Sequence, residues 1–187
     1  MIREHYTTVD IKIILAEMIA NLPSNKYDVG QKVRSELCSK LVEQINAIHF
    51  SQKLGIRVVP GKADVDPDNL YIFPSGLFPL EIKVAQTVSK DTRVRFRGGA
   101  LSDRNSEYLF IVRNRDCTKF FAAITYMTKE NWVAQNTAYY APYFDETMLF
   151  NKDTKVLFGS FDVAMKGKRM GLPILKLESL SVSTDNK

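Results

Sequence analysis

Two stretches in the first third of the chain repeat apolar residues at helical spacing. Over residues 7–21, Val9, Ile13, Ala16, Met18 and Ala20 join Ile14, Leu15 and Ile19 on a broad apolar face. Thr7 or Thr8 is placed to cap this helix and Pro23 to stop it. Residues 29–50 carry Val33, Leu37, Leu41, Ile45 and Ile48 three or four positions apart, which predicts a second helix with that stripe against a core. From Ile56 onward the texture changes to short β-rich runs separated by turn residues. Strands are expected at 56–59, 70–73, 80–85, 108–112, 120–126 and 156–161, with a further extended piece at 62–66. Pro74-Ser75-Gly76 is the turn between the third and fourth of these pieces. Residues 128–137 read as a short helix and 181–187 as a polar tail. There is no internal repeat or long linker. The expectation is one domain over residues 1–180, α/β (or α+β), with a mixed central β-sheet flanked by helices.

Composition narrows the class. The 187 residues are 45% hydrophobic and 25% charged, enough apolar material to bury a core, which excludes a disordered chain. No apolar run reaches the roughly 18 residues of a membrane span. The first six residues, Met1 to Tyr6, lack the basic-then-apolar layout of a signal peptide. The expected setting is therefore the cytoplasm, with no membrane partner. A net charge of +5 suits a nucleic-acid partner without demanding one. Cys38 and Cys117 are the only cysteines and His5 and His49 the only histidines. That excludes a disulfide scaffold and a histidine-rich centre, and gives no zinc-ligand spacing. The two cysteines are expected as small buried fillers.

The candidate chemistry is phosphodiester hydrolysis. It needs hard oxygen ligands for Mg²⁺ beside the scissile phosphate, and a cation or base to orient the attacking water. In the strand Leu80-Glu81-Ile82-Lys83-Val84, alternation puts Glu81 and Lys83 on one face and the apolar residues on the other. Asp64 and Asp66, just upstream, share a face and offer a second carboxylate. An acid two residues before a lysine is a weak signal on its own. Asp10/Lys12 and Asp153/Lys155 have the same spacing, and alternating Glu and Lys is also the ordinary look of a solvated sheet face.

A helix bearing Glu36, then Asp64 on an extended piece, then a hairpin into Glu81-Ile82-Lys83, resembles the PD-(D/E)xK nuclease superfamily. The likeness spans about residues 29–115, since Arg97-Gly98-Gly99-Ala100 and the strand at 108–112 also look like that family's continuation. No proline directly precedes Asp64: Pro60 stands four residues earlier, and Pro67 follows Asp66. The choice between Asp64 and Asp66 stays open. Asp64 is preferred because it leaves Asp66-Pro67-Asp68-Asn69 to form a turn. The resemblance implies a restriction-endonuclease-like fold and Mg²⁺, with Mn²⁺ able to substitute, held by Asp64 and Glu81 with Asp66 as the alternative ligand. Lys83 would orient or activate water, and Glu36 would assist from the helix. The whole chain also looks like the small cleavage subunit of heterodimeric type IIS restriction endonucleases. That implies double-stranded DNA as substrate and a larger, DNA-recognising protein subunit as partner.

Other positions are weaker. Glu43 lies seven residues after Glu36 on the same flank, where a solvated position beside Lys40 is the favoured account. Gln86 is expected at the surface. Arg93, Arg95 and Arg97 alternate before Gly98-Gly99, and with Arg104 they are the expected grip on the DNA backbone. Arg113 and Arg115 add to that supply. The patch at 166–169 is expected to be a solvated loop, and Tyr139, Tyr140, Tyr143 and Phe144 core or a partner interface. Two rival functions are kept: a structure-selective nuclease of junction-resolvase or repair type, and a non-catalytic binding module in which Glu81 and Lys83 are surface charges.

Overall fold

The first helix begins where two short side chains satisfy its open backbone amides. Thr7 Oγ1 accepts from the Asp10 amide at 3.3 Å, and Asp10 Oδ2 accepts from the Thr7 amide at 2.7 Å, a reciprocal capping box. The computed structural model describes residues 1–23, 30–61, 67–86, 94–95, 105–114, 117–128, 132–136, 139–144, 151–159 and 175–176. In it Thr7 caps helix α1, Thr8–Ala20, which follows a short 3-10 turn at Ile2–His5. The buried face of α1 is Asp10, Ile11, Ile14, Leu15 and Met18, narrower than the apolar pattern implied, and Val9 is exposed.

Helix α2, Gln31–Leu54, ends at Gly55, whose φ of 63° is the left-handed conformation that glycine adopts without a Cβ penalty. Its expected stripe is corrected. Val33 and Ile48 are 52% and 58% exposed, while Cys38, Val42, Glu43, Ile45, Asn46 and Phe50 are buried. The face turned inward is set by contact with α1 and with the sheet, and that contact accepts polar residues that a hydrophobicity pattern assigns to solvent.

Among the described residues ten strands follow: β1 Arg57–Pro60, β2 Asn69–Phe73, β3 Gly76–Gln86, β4 Val94–Arg95, β5 Ser106–Arg113, β6 Lys119–Met127, β7 Trp132–Asn136, β8 Tyr139–Phe144, β9 Lys155–Phe158 and β10 Leu175–Lys176. The main sheet runs β1-β2-β3-β5-β6-β10, with β9 also on β6. Its β3–β5 pair is parallel and the others antiparallel, so the sheet is mixed and the fold is α/β, as expected. Strand β5 is buried along its whole length, the signature of a central strand covered on both faces. A smaller sheet is ordered β4-β8-β7.

The helix expected at 128–137 is corrected at its described centre: Trp132–Asn136 form β7, paired with the aromatic-rich strand β8. The long-range ladder overrides a short, weakly patterned local preference. Strand β9 stops earlier than expected, at Phe158. The next residue, Gly159, has φ 77°, and a Cβ there would lie 2.8 Å from the Phe120 carbonyl oxygen. The cysteines are buried and free, as expected. The extended piece at 62–66, the patch at 166–169 and the tail at 181–187 lie outside the described residues. Among the described residues no helix is long and apolar enough to cross a membrane.

The two helices are locked by Asp10. Its carboxylate also meets His49 Nε2 at 2.8 Å and accepts from Lys53 Nζ at 2.7 Å, both on α2. Burial works to raise the Asp10 carboxyl, but the bonds from Lys53, Thr7 and His49 outweigh it and hold it at about 2. A depressed carboxyl contributes stability above its unfolded value near 3.8, and that contribution is lost as pH falls toward 2. Asp10→Ala is therefore expected to cost on the order of 3 kcal/mol at pH 7, in urea unfolding. The gap between variant and wild type is expected to narrow below about pH 3.5. A gap of constant size down to pH 2 would count against the lock.

Candidate active site

The hairpin β2–β3 decides where the acids stand. Its two-residue connection, Pro74-Ser75, joins Phe73 to Gly76 as the first pair, and the antiparallel ladder runs back to Asn69 opposite Leu80. One residue beyond that last pair, Asp68 faces Glu81. On β3, Leu80 and Ile82 are buried in the core, so alternation turns Glu81 and Lys83 to the other face. Asp68 Oδ2 accepts from the Ile82 amide at 2.7 Å, which fixes its carboxylate against the strand.

Lys83 closes the group. Its Nζ donates to Asp68 Oδ2 at 3.2 Å and to Glu81 Oε2 at 3.1 Å. The three side chains are only 14–20% exposed. The same spacing elsewhere is structural: Asp10 is a cap, and Asp153 pairs with Arg3 at 2.9 Å. Glu43 approaches from α2, buried, with its Oε2 accepting from Lys40 Nζ at 2.6 Å.

The electrostatics follow from burial and close charge. Desolvation pushes the Glu81 carboxyl above its ordinary value; Lys83 pulls it down, and the neighbouring Asp68 pushes it further up. Desolvation alone would lower the Lys83 ammonium, but the Asp68 and Glu81 carboxylates outweigh it and raise it above 10.5. Lys83 is therefore a charged donor at neutral pH. Glu43 is raised by desolvation and by the Asp68 charge, against the pull of Lys40 and Lys83. Four ionisable groups from one helix and one hairpin thus share a single electrostatic neighbourhood.

Glu81 and Lys83 are brought together as the sequence suggested. The carboxylate beside them is Asp68, which the sequence reading had placed in a turn; Asp64 and Asp66 lie outside the described residues. Asn69, the other end of that expected turn, is instead a buried strand residue. The helix glutamate in the cluster is Glu43, not on a solvated flank but buried, whereas Glu36 is exposed about two helical turns away. The missed signal was available: Pro67-Asp68 is a Pro-Asp pair, and counting back from the Pro74-Ser75 turn sets it opposite Glu81.

Arg113 is also corrected. Rather than an exposed DNA contact it is buried, donating to Ser35 Oγ at 2.8 Å, to the Asn114 carbonyl at 3.1 Å and to Gln86 Oε1 at 3.4 Å. It ties α2 to the ends of β3 and β5, so Gln86 has an internal partner. Of the four arginines expected on DNA, Arg95 has its backbone in β4, while Arg93, Arg97 and Arg104 lie outside the described residues, as does Arg115.

Among the described residues no three His, Cys, Asp or Glu side chains form a metal-holding group. Asp68 and Glu81 nevertheless present two hard oxygen donors side by side. Mg²⁺ commonly takes one or two carboxylates and leaves its other positions to water and substrate phosphate. The donor set fits such an ion, whose charge would also offset the burial and the Asp68 repulsion that raise Glu81.

No protein-family model matches the chain, and no curated protein matches it significantly.

Lys83→Met is expected to leave two carboxylates facing each other without their cation, at a cost on the order of 3 kcal/mol at pH 8. Glu81, already raised from 4.5, would be raised further; the stability linked to such a group is present below its unfolded value and lost as pH rises through its folded value. The deficit relative to wild type should accordingly shrink between pH 8 and pH 5 in urea unfolding. Equal deficits at both pH values would show that the two carboxylates are not coupled.

Proposed function

We propose that this chain is a Mg²⁺-dependent DNA endonuclease of the PD-(D/E)xK type. In this reading it is the strand-cutting subunit of a type IIS restriction system in the cytoplasm, and sequence recognition belongs to a larger partner protein. The single observation that carries the reading is the convergence of Asp68, Glu81 and Lys83 at one end of a hairpin, with Glu43 on α2 within their electrostatic reach. Pro67-Asp68 supplies the proline-acid pair that the sequence resemblance lacked at Asp64.

In this reading Asp68 and Glu81 would hold Mg²⁺, with Mn²⁺ as a substitute, and Asp64 and Asp66 are not needed as ligands. When bound, the ion supplies charge stabilisation at the scissile phosphate and lowers the pKa of a water. Lys83, charged and buried, donates hydrogen bonds that orient the attacking water and offset charge building on the phosphoryl oxygens. Glu43, raised by burial, can hold or pass a proton near Asp68. DNA would be gripped mainly through its phosphates, by arginines that include Arg93, Arg95, Arg97 and Arg104, so binding would weaken steeply with salt.

The test is incubation of supercoiled plasmid with Mg²⁺, with the chain alone and with a candidate larger partner. Nicking by the complex is expected to fall about 10²–10⁴-fold in Asp68→Ala, Glu81→Ala and Lys83→Ala, and to persist in Asp64→Ala. Undiminished cutting by folded Lys83→Ala would overturn the assignment, and loss in Asp64→Ala with retention in Asp68→Ala would move the first ligand upstream. Four-way junctions run beside linear duplex separate the sequence-guided reading from a structure-selective one.

A further inference from the structure

Beneath the acidic cluster lies a polar network in a place where apolar packing would serve stability as well. Asn46 on α2 and Asn69 on β2 are both completely buried. Asn46 Nδ2 donates to Asn69 Oδ1 at 2.7 Å and to the Tyr71 hydroxyl at 2.9 Å, and Asn46 Oδ1 accepts from the Tyr6 hydroxyl. Asn69 Nδ2 in turn donates to the Glu43 carbonyl oxygen at 3.1 Å and to the Asp68 carbonyl oxygen. Each amide thus uses both N–H groups and accepts through its oxygen, so flipping either one would set oxygen against oxygen. The Tyr6 and Tyr71 hydroxyls, raised by burial, stay neutral, and the network carries no charge that pH could change under working conditions.

The two residues whose backbones meet at the Asn69 amide are the two that bring acid to the site from different elements. Glu43 belongs to a helix and Asp68 to the loop entering β2, and their relative position is not set by any regular ladder. Desolvating two amides is costly unless every partner is met, and a network of this kind adds less to stability than to a unique geometry. We propose that Asn69, held in place by Asn46, is a positioning residue that sets the Asp68 carboxylate relative to Glu43 and Glu81, and so governs the affinity of the acidic centre for a divalent cation. This inference rests on the proposed reading of Asp68 and Glu81 as cation ligands.

The experiment is titration of Mn²⁺ into the full chain, followed by the electron paramagnetic resonance of the free ion, at a temperature where circular dichroism shows each variant folded. Asn69→Ala is expected to weaken Mn²⁺ binding about tenfold or more. Asn69→Ser, which keeps one donor for one of the two carbonyls, should recover part of that loss, and it carries the test if the alanine variant does not fold. Tyr6→Phe breaks the same network at its far end without touching the Glu43 or Asp68 carbonyl, and should leave Mn²⁺ affinity within twofold. Equal weakening in Tyr6→Phe and Asn69→Ser, or no weakening in either Asn69 variant, would overturn the positioning role. Failure of the wild-type chain to bind Mn²⁺, or binding that survives Asp68→Ala, would overturn the reading of the centre itself, and the positioning role with it.

Discussion

The register of one hairpin holds the candidate site together. Because Pro74-Ser75 closes the β2–β3 turn in two residues, Phe73 must meet Gly76, and every later pair follows. That register brings Asp68 opposite Glu81, and Lys83, two residues on, bridges both carboxylates. A slip of one residue would send Glu81 and Lys83 into the core and Leu80 and Ile82 to the surface. The burial of those two apolar residues is therefore what keeps the charged face in register.

A cluster of this kind is stable only as a unit. Two carboxylates at close range repel, and burial penalises both; a buried ammonium is likewise unfavourable by itself. Together they offset part of these penalties: the two carboxylates outweigh burial and raise Lys83, whereas Glu81 stays raised because burial and the Asp68 charge outweigh the pull of Lys83. Lys83 supplies one positive charge between two carboxylates, and its ammonium is held by both. The surrounding fold makes that possible with rigid parts: β3 lies between β2 and the fully buried β5, and Arg113 ties the far end of the same strand to α2.

Helix α2 shows how far local pattern can mislead about the face that matters. Its apolar stripe, judged by residue type, includes Val33 and Ile48, which face solvent; its buried side includes Glu43 and Asn46. Polar residues sit there because they have partners: Lys40 for Glu43, and Tyr6, Asn69 and Tyr71 for Asn46. A hydrophobicity count cannot see partners such as Tyr6, Asn69 and Tyr71 that come from other elements, and it left Glu43 on a solvated flank, while Glu36 was singled out by the resemblance.

What the amino-acid sequence determined by itself was whatever depends on neighbours along the chain. The two helices, the β-rich middle and the shared face of Glu81 and Lys83 follow from periods of 3.6 and 2 and were legible, and a threonine cap, at Thr7 or Thr8, was legible from residue type. The turn at Pro74-Ser75 is legible too, but the register that carries Asp68 to Glu81 depends on the ladder that follows it. Tertiary structure alone decided what depends on distant partners: β7 in place of a helix, the inward face of α2, the burial of Arg113, and the placing of Glu43 within electrostatic reach of Asp68. In each case a long-range contact outweighed a local preference, because burying a polar group is tolerable only where another part of the fold supplies its hydrogen bonds.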